Sequence, residues 1–295
     1  MAKATTRYVC QTCGAVTPKW AGRCEACGEW NTIVEEAATP AVAKGRRLAF
    51  VDLAGAAAPP PRVASGIAEL DRVLGGGFVP GSAVLLAGDP GIGKSTLLLQ
   101  AAARLARGGK RVLYISGEEE IDNIAMRAAR IKGIRKKAPY IDMVTTRVTG
   151  IAAGAIRQQA PSLVIVDSIQ TIGDEALETH FGGQKQVDNL MTLCIEDSMK
   201  VNAATFFVCQ RTKAGDPAGP KRAEHLVDVH IKLEKIKEDE ASLILFGDEM
   251  DDEDDAPQLP RGQYREFHSE KNRFAAAEQR CVLNMTKTGL VRVEI

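Results

Sequence analysis

One glycine-rich run, lying between an apolar stretch and a helical pattern, constrains this chain more than any other feature. The run is Gly88-Asp89-Pro90-Gly91-Ile92-Gly93-Lys94-Ser95-Thr96, which has the spacing G-x-x-x-x-G-K-[ST]. Glycines let backbone N–H groups come close to an anion, and the helix that follows points the positive end of its dipole to the same place. The run therefore predicts a loop that wraps the phosphates of a nucleotide.

Two side chains of this loop have separate expected roles. Lys94 is predicted to reach the β- and γ-phosphates as a point charge, and the Ser95 hydroxyl is predicted to ligate Mg²⁺. The apolar residues 82–87 indicate a buried strand and residues 96–107 an amphipathic helix, which is the setting that such a loop requires. We therefore expect ATP and Mg²⁺ to bind at residues 88–96.

Composition narrows the class of protein. The 295 residues carry 38 basic and 38 acidic side chains, so the formal net charge is zero, and 45% of the residues are hydrophobic. The balance removes a simple electrostatic argument for nucleic-acid binding but allows a local basic stripe. No stretch approaches the ~18 apolar residues of a membrane span, and the amino terminus lacks a signal-peptide core. We therefore expect a cytoplasmic protein without membrane contacts.

Four of the seven cysteines have the spacing of a metal site. Cys10, Cys13, Cys24 and Cys27 form the pattern C-x2-C-x10-C-x2-C. Two such pairs can supply four thiolates in the tetrahedral arrangement that Zn²⁺ prefers, and the metal would fold a segment too short to have its own core. We predict a C4 zinc-finger module over residues 1–36. The surface that it contacts stays open between a nucleic acid, a protein and the next domain.

The rest of the chain divides by composition. Residues 37–61 are rich in Ala and Pro and indicate a linker, whereas residues 62–295 alternate apolar runs with helical patterns. This alternation predicts an α/β core with a mostly parallel central sheet. An acidic insertion is predicted near residues 235–262, where residues 247–255 carry seven acidic side chains. We expect a solvated loop there, with an acidic DNA mimic or a docking tail as alternatives.

Further acidic residues follow two predicted strands. Residues 163–167 are four apolar residues ending in Asp167, the Walker B pattern, in which a carboxylate at a strand end holds the Mg²⁺ shell. Glu118 and Glu119 follow another apolar strand, and ligands of such sheets lie at the carboxyl ends of strands. Glu118 is the first choice as the general base that polarises the attacking water, and Glu119 the second. The alternative is that these acids only begin a helix.

A polar strand end and a basic segment complete the candidate residues. Gln210 ends the strand 205–210 and is predicted to sense the γ-phosphate. The next segment combines glycine and proline with four cations that suit contact with the phosphates of single-stranded DNA, Arg211, Lys213, Lys221 and Arg222. An ordinary solvated loop is the alternative. Lys185 is a weaker candidate for the same DNA-binding role.

Eight motifs together resemble the bacterial RadA/Sms family of recombination and repair ATPases. They are the C4 finger, Ser65–Asp71, Leu74–Gly77, Gly88–Thr96, Ser116–Glu119, Val166–Thr171, Glu224–Asp228 and Lys271–Phe274. The resemblance covers nearly the whole chain. The combination of the finger with the K-N-R-F motif is far more specific than the phosphate-binding loop.

The resemblance implies a RecA-like core that forms hexameric rings around single-stranded DNA. It implies a DNA-dependent, helicase-like ATPase that moves along the strand and extends recombination intermediates by branch migration, with a recombinase or a replicative helicase as candidate protein partners. It also implies that Lys271 and Arg273 act across the subunit boundary. Cations from a neighbour would stabilise charge on the transferring phosphoryl group, as an arginine finger does.

Three differences separate the chain from the family pattern. Ala275 stands where the family has Gly after K-N-R-F, and Gln210 stands where the family commonly has His. The family also adds a carboxyl-terminal Lon-protease-like domain, whereas this sequence stops at Ile295. Such a sequence is expected to be either a shortened form of a longer protein or a short relative.

Two other functions share parts of this pattern. One is a replicative helicase related to DnaB, which has a similar core but does not ordinarily carry this finger. The other is a KaiC-like signalling or scaffold ring, in which ATP controls assembly and DNA takes no part. Duplex unwinding that needs no recombination intermediate would favour the first, and ATP-dependent rings that bind no nucleic acid would favour the second.

Overall fold

The computed structural model describes residues 6–13, 15–17, 19–37, 60–131, 140–210, 222–246 and 257–293. The chain divides into two compact units, residues 1–59 and residues 60–295. Several predicted features lie outside the described residues: most of the linker, the segment 211–221 and the acidic run. The domain boundaries at residues 36 and 61 stay a prediction.

The first unit is a small antiparallel sheet with two cysteine-bearing turns. Its strands are β1 (Thr6–Cys10), β2 (Val16–Thr17) and β3 (Ile33–Ala37), in the spatial order β2-β1-β3. The buried side chains are few, with Cys10, Cys24 and Ile33 at the centre. A cluster of this size cannot by itself offset the conformational entropy of ordering the segment, so a further stabilising contribution is needed.

The second unit is a nine-stranded sheet with helices on both faces. Its elements are, in chain order, α1 (Ala68–Leu74), β4 (Ala83–Gly88), α2 (Lys94–Arg107), β5 (Val112–Ser116), α3 (Ile121–Arg130), β6 (Ile141–Thr145), α4 (Thr149–Gln159), β7 (Leu163–Asp167), α5 (Gln184–Val201), β8 (Ala204–Gln210), α6 (Arg222–Leu226), β9 (Val229–Lys235), α7 (Glu238–Phe246), β10 (Tyr264–Asn272), β11 (Arg280–Thr286) and β12 (Gly289–Arg292). The strand order is β12-β11-β10-β9-β4-β8-β7-β5-β6.

The six strands from β9 to β6 pair in parallel, and β10, β11 and β12 extend the sheet in antiparallel fashion. Apolar side chains alternate between two buried layers: Leu86 and Tyr114 pack on the layer that includes α2, and Leu85 and Leu113 on the layer that includes α4 and α5. Strands buried on both faces are the reason that the central runs are continuously apolar. The predicted α/β fold is confirmed.

The antiparallel extension was not predicted from the sequence. Strands β10 and β11 mix charged and apolar residues, so their pattern resembles a surface segment until the sheet edge beside β9 gives them a partner. The predicted acidic insertion contains the helix α7 as well as residues outside the described part. No helix in the described ranges is long and apolar enough to span a bilayer.

Candidate functional site

The predicted phosphate-binding loop joins β4 to α2, and its glycines are required by geometry. Gly91 and Gly93 have φ of 73° and 120°, values that L side chains rarely adopt. At Gly88 a Cβ atom would lie 2.6 Å from the carbonyl oxygen of Leu233 on the neighbouring β9. The loop can therefore lie against the sheet and keep its backbone close to the cleft only with glycine at these positions.

Lys94, the first residue of α2, is buried beneath the loop. Its Nζ donates to the carbonyl oxygens of Gly88 at 2.7 Å and Asp89 at 2.8 Å. Burial lowers the pKa of Lys94, and the negative charge of Asp167 opposes this effect. The ammonium group is therefore held by main-chain carbonyls at the base of the cleft, in reach of a phosphate.

The cleft beside the loop has a volume of about 300 Å³ and lies at the carboxyl ends of the parallel strands. Most of the predicted nucleotide residues line it, and the other three, Gly88, Asp89 and Ile92, belong to the same loop but do not line the cleft. The lining residues are Pro90, Gly91, Gly93, Lys94, Ser95, Thr96, Ser116, Glu118, Glu119, Ile124, Arg127, Asp167, Val208 and Gln210. The fold thus brings together the loop, both predicted carboxylates and the predicted sensor.

Asp167 has a partner that the sequence analysis did not identify. The hydroxyl of Tyr114, in the middle of β5, donates to Asp167 Oδ2 at 2.5 Å. Burial and the negative charge of Asp167 raise the pKa of Tyr114 well above its ordinary value, so the phenol is the donor. A buried tyrosine needs such an acceptor, but the sequence does not indicate which residue supplies it.

The two glutamates considered as general base have different surroundings. Gln210 Nε2 donates to both carboxylate oxygens of Glu118 at 3.2 Å, and the Ser168 hydroxyl lies 3.4 Å from Oε2. Glu119 instead forms an ion pair with Arg127 of α3. The Glu118 carboxylate is exposed at the cleft, and its hydrogen-bond partners among the described residues are neutral, whereas a cation pairs with Glu119. These contacts support Glu118 in the role for which it was the first choice.

Lys271 and Arg273 lie at the opposite end of the strands from the cleft. Arg273 Nη1 lies 3.1 Å from Asp228 Oδ1, and the other oxygen of Asp228 accepts from the backbone N–H of Ala83. Ala83 begins β4, whereas the phosphate-binding loop follows the end of that strand, roughly 17 Å further along. Lys271 Nζ donates to the carbonyl oxygens of residues 224 and 227 at 2.9 and 2.7 Å.

The end of the K-N-R-F motif is fixed to the body of the unit. The Arg62 guanidinium donates to Phe274 O at 2.5 Å and to Leu74 O at 3.0 Å. Ala275, which replaces the glycine of the family pattern, packs against Gly75, whose φ of 81° ends α1. The loop after Arg273 is therefore held rigidly, and the Arg273 side chain itself is half exposed.

Two of the predicted DNA-binding cations are described, and they lie near each other. Lys185 is exposed in the first turn of α5, and Arg222 begins α6, with its Nε 3.6 Å from Asp188 Oδ2 one turn further along α5. Both helices begin after strands whose carboxyl ends border the cleft. Arg211, Lys213 and Lys221 lie outside the described residues.

The four cysteines of the first unit converge into one group. Their sulfur atoms all lie within 4.8 Å of one another, and the Cys10–Cys27 and Cys13–Cys24 pairs are each 3.7 Å apart. Four sulfur atoms about 2.3 Å from a tetrahedral Zn²⁺ would be about 3.8 Å apart. A hydrogen bond with the Thr32 hydroxyl lowers the pKa of Cys10 to about 6. The group therefore fits Zn²⁺ in both donor type and size.

Two family models match the chain. One, described as a rubredoxin metal binding domain, matches residues 8–35, which contain the cysteine group. The other, described as an AAA domain, matches residues 45–216 and therefore more than half of the chain. The predicted metal module and the predicted P-loop core each correspond to one of these models.

Relatives that match nearly the whole chain are named DNA repair protein RadA. The protein of that name from Brucella abortus is 38% identical over 306 residues, and the one from Pseudomonas aeruginosa is 40% identical over 307 residues. Each match covers 99% of this chain and 60% of the relative, so the chain spans about three fifths of the length of these proteins. The resemblance to RadA/Sms proteins is confirmed.

Solved structures agree on the fold. A KaiC-like protein from Pyrococcus horikoshii has a TM-score of 0.59 at 18% identity, covering 79% of this chain and 99% of that chain. The RadB recombinase has a TM-score of 0.56 at 22% identity, covering 78% and 99%. At these identities the similarity to solved structures supports the fold alone. This fold agrees with the RecA-like core that the family resemblance implied. By its matching domain model this chain belongs to the AAA domain family, and it is similar over nearly all its length to RadA proteins.

Proposed function

We propose that this chain binds and hydrolyses ATP in the cleft beside residues 88–96, and that single-stranded DNA controls the rate. Three observations support the first part: the loop geometry, the convergence of loop and carboxylates in one cleft, and the AAA domain match. The name of the RadA relatives supports a role in DNA repair. The chain spans 60% of the length of those relatives. We therefore attribute the activity of the whole RadA protein to this chain only as part of this proposal.

Each residue of the cleft then has a defined task. Backbone N–H groups of the loop and the Lys94 ammonium bind the phosphates, and the Ser95 hydroxyl and Asp167 hold Mg²⁺. When bound, the metal neutralises charge that develops on the transferring phosphoryl group. Glu118 accepts a proton from the attacking water, because its carboxylate lies at the cleft and its hydrogen-bond partners in the described part of the chain are neutral. Glu119 and Arg127 form part of the wall of the cleft.

One contact carries the link to DNA. Gln210 donates to the Glu118 carboxylate, and Gln210 is the last residue of β8 before the basic segment 211–222. A displacement of that segment by DNA would move the amide and change the orientation or the proton affinity of the base. Lys185 and Arg222, at the start of the two adjacent helices, would contact DNA phosphates together with the basic segment.

The proposed active unit is a homo-oligomer that forms a hexameric ring around the DNA strand. Lys271 and Arg273 lie too far from the cleft of their own subunit to touch its phosphates, so they act on the cleft of a neighbour. The ring would move along single-stranded DNA and extend recombination intermediates by branch migration. A recombinase or a replicative helicase would be its protein partner, and the cytoplasm its location.

The test is ATP turnover with and without an oligonucleotide, across a salt titration. We expect single-stranded DNA to raise the turnover of the wild type, and Lys94→Ala to abolish turnover. In Gln210→Ala the ratio of DNA-stimulated to basal turnover should fall most of the way to one, whatever its basal turnover is. Gln159→Ala, on the far end of α4 beside Arg111, is the matched control and should respond to DNA as the wild type does.

Two results would contradict the proposal. Turnover that is indifferent to DNA at every salt concentration would remove the DNA-dependent motor, and rings that form with ATP but bind no nucleic acid would favour the KaiC-like scaffold. Equal stimulation of Gln210→Ala and the wild type would remove the route through Glu118 while leaving ATP hydrolysis intact.

A further inference from the structure

A buried arginine lies behind the phosphate-binding loop. Arg265, the second residue of β10, is 6% exposed. Its Nε donates to the carbonyl oxygen of Ile92 at 2.9 Å, and Nη1 donates to the carbonyl oxygen of Tyr264 at 3.0 Å. None of the described carboxylates forms an ion pair with it. Burial lowers the pKa of Arg265, but a guanidinium keeps its proton in proteins.

A buried cation without an acidic partner is costly. Burying an ion carries a large desolvation penalty, and a well-packed apolar residue at the same place would avoid it. Two carbonyl dipoles offset part of this penalty. The remainder is offset when an anion binds close by, and the cleft on the other side of the loop is built for phosphates.

The contact with Ile92 has a direct geometric consequence. A trans peptide unit is planar, and its C=O and N–H point in opposite directions. Because Arg265 holds the Ile92 carbonyl on the side of β10, the N–H of Gly93 in the same peptide unit points to the other side, toward the cleft that Gly93 lines. The φ of 120° at Gly93 allows the chain to continue into α2 from this orientation.

Strands β11 and β12 also contact the phosphate-binding loop and α2. A Cβ atom at Gly93 would lie 2.3 Å from Met285 Cε of β11 and 3.5 Å from Leu290 Cδ1 of β12. The buried Gln100 of α2 exchanges two hydrogen bonds of 2.9 Å with the backbone of Leu290. The antiparallel extension of the sheet therefore supports both the loop and the helix that follows it.

We propose that Arg265 is a positioning residue for nucleotide binding. Holding the Ile92 carbonyl turns the Gly93 N–H into the cleft, and the guanidinium adds a fixed positive charge behind the phosphates. This inference rests on the proposed nucleotide function of the cleft. It predicts that Arg265 contributes to the affinity for the phosphate chain although it does not line the cleft.

The experiment compares nucleotide affinity among variants of the full chain. A fluorescent ADP analogue is titrated into the wild type, R265K, R265Q, R265M and R280M, and unlabelled ATP and ADP displace it, with folding checked by thermal unfolding. Arg280 is the matched control, because it lies on the adjacent β11 and pairs with the buried Glu266 rather than with the loop. Lys keeps the charge and a single donor, Gln keeps a donor without charge, and Met has neither.

We expect R265M to bind ATP and ADP roughly ten- to a hundredfold more weakly, which corresponds to one lost charge-assisted hydrogen bond. R265K should lie between R265M and the wild type, and R280M should stay within about twofold of the wild type. Folded R265M with wild-type affinity, or an equal loss in R280M, would overturn the inference. If R265M does not fold, R265K and R265Q decide, and affinities equal to the wild type in both would overturn it. A wild type that binds no nucleotide would refute the proposed function instead.

Discussion

Neighbouring side chains give the three acidic residues of the cleft different properties. Asp167 accepts a hydrogen bond from a buried phenol, Glu118 from an amide, and Glu119 pairs with a cation. All three follow apolar strands, so their positions in the sequence do not separate these roles. Their partners lie between 8 and 92 residues away along the chain.

The Tyr114–Asp167 contact leads to a prediction about Mg²⁺. Tyr114→Phe removes the hydroxyl that orients the Asp167 carboxylate, so we expect the Mg²⁺ concentration for half-maximal ATP turnover to rise roughly tenfold, as is common for partners of metal-binding carboxylates. Tyr264→Phe is the control, since that buried hydroxyl donates to Pro260 O at 2.6 Å instead. An unchanged Mg²⁺ requirement in Tyr114→Phe, or an equal rise in both variants, would contradict the assigned role.

Among the elements, the small sheet of the first unit depends on its cysteine turns more than on its core. Cys10 and Cys24 are themselves two of its three central buried side chains. Gly28, with φ of 80°, closes the second turn by donating its N–H to Cys24 O at 2.8 Å. The metal would therefore join strand ends that few apolar contacts hold together.

Removal of the metal should unfold this unit and leave the second unit folded. Both tryptophans of the chain, Trp20 and Trp30, lie in the first unit, so their fluorescence reports on it alone. We expect a strong chelator or Cys24→Ser to release zinc and to change the intensity of the tryptophan emission, because the Trp20 hydrogen bond to Ile33 O and the Arg23–Trp30 contact are lost, while nucleotide binding is unchanged. Cys194→Ala, at a buried thiol of α5, should retain the metal. An emission spectrum that ignores the chelator would refute the structural role of zinc.

At the scale of the second unit, the cleft and Arg273 lie at opposite ends of the parallel strands. The cleft lies at the carboxyl ends of the parallel strands, and Arg273 lies where β4 begins. A single subunit cannot bring the two together, because roughly 17 Å of strand separates them. Copies stacked head to tail in a ring would place one end against the other at every boundary.

Mixing two inactive variants tests this arrangement. Arg273→Ala should bind nucleotide normally but lose at least about a hundredfold in turnover, and Lys94→Ala should be inactive. In random mixed rings, about one boundary in four combines an intact Lys94 with an intact Arg273, so up to about a quarter of wild-type turnover should return. Glu278→Ala, which loses an exposed contact with His268, is a control that should stay active. Mixtures that recover no turnover would contradict action between subunits.

Local patterns along the chain were sufficient to predict the class of fold, the phosphate-binding loop and the cysteine group. Each depends on neighbours in sequence: a run of apolar residues, glycines at fixed spacing, or cysteines three and eleven residues apart. The strands β4, β7 and β8 and the helix α2 accordingly lie close to their predicted places. Their physical basis is backbone conformation and periodic burial, which are properties of short segments.

Contacts between distant segments could not be predicted in this way. Arg265 and Ile92 are 173 residues apart, Gln100 and Leu290 are 190 apart, and Glu118 and Gln210 are 92 apart. Which side chains meet depends on the order of strands in the sheet, and a charged residue on a strand has no partner until that order exists. The amino-acid pattern thus established the nucleotide loop and its fold, while packing of the sheet established which cations and amides support it.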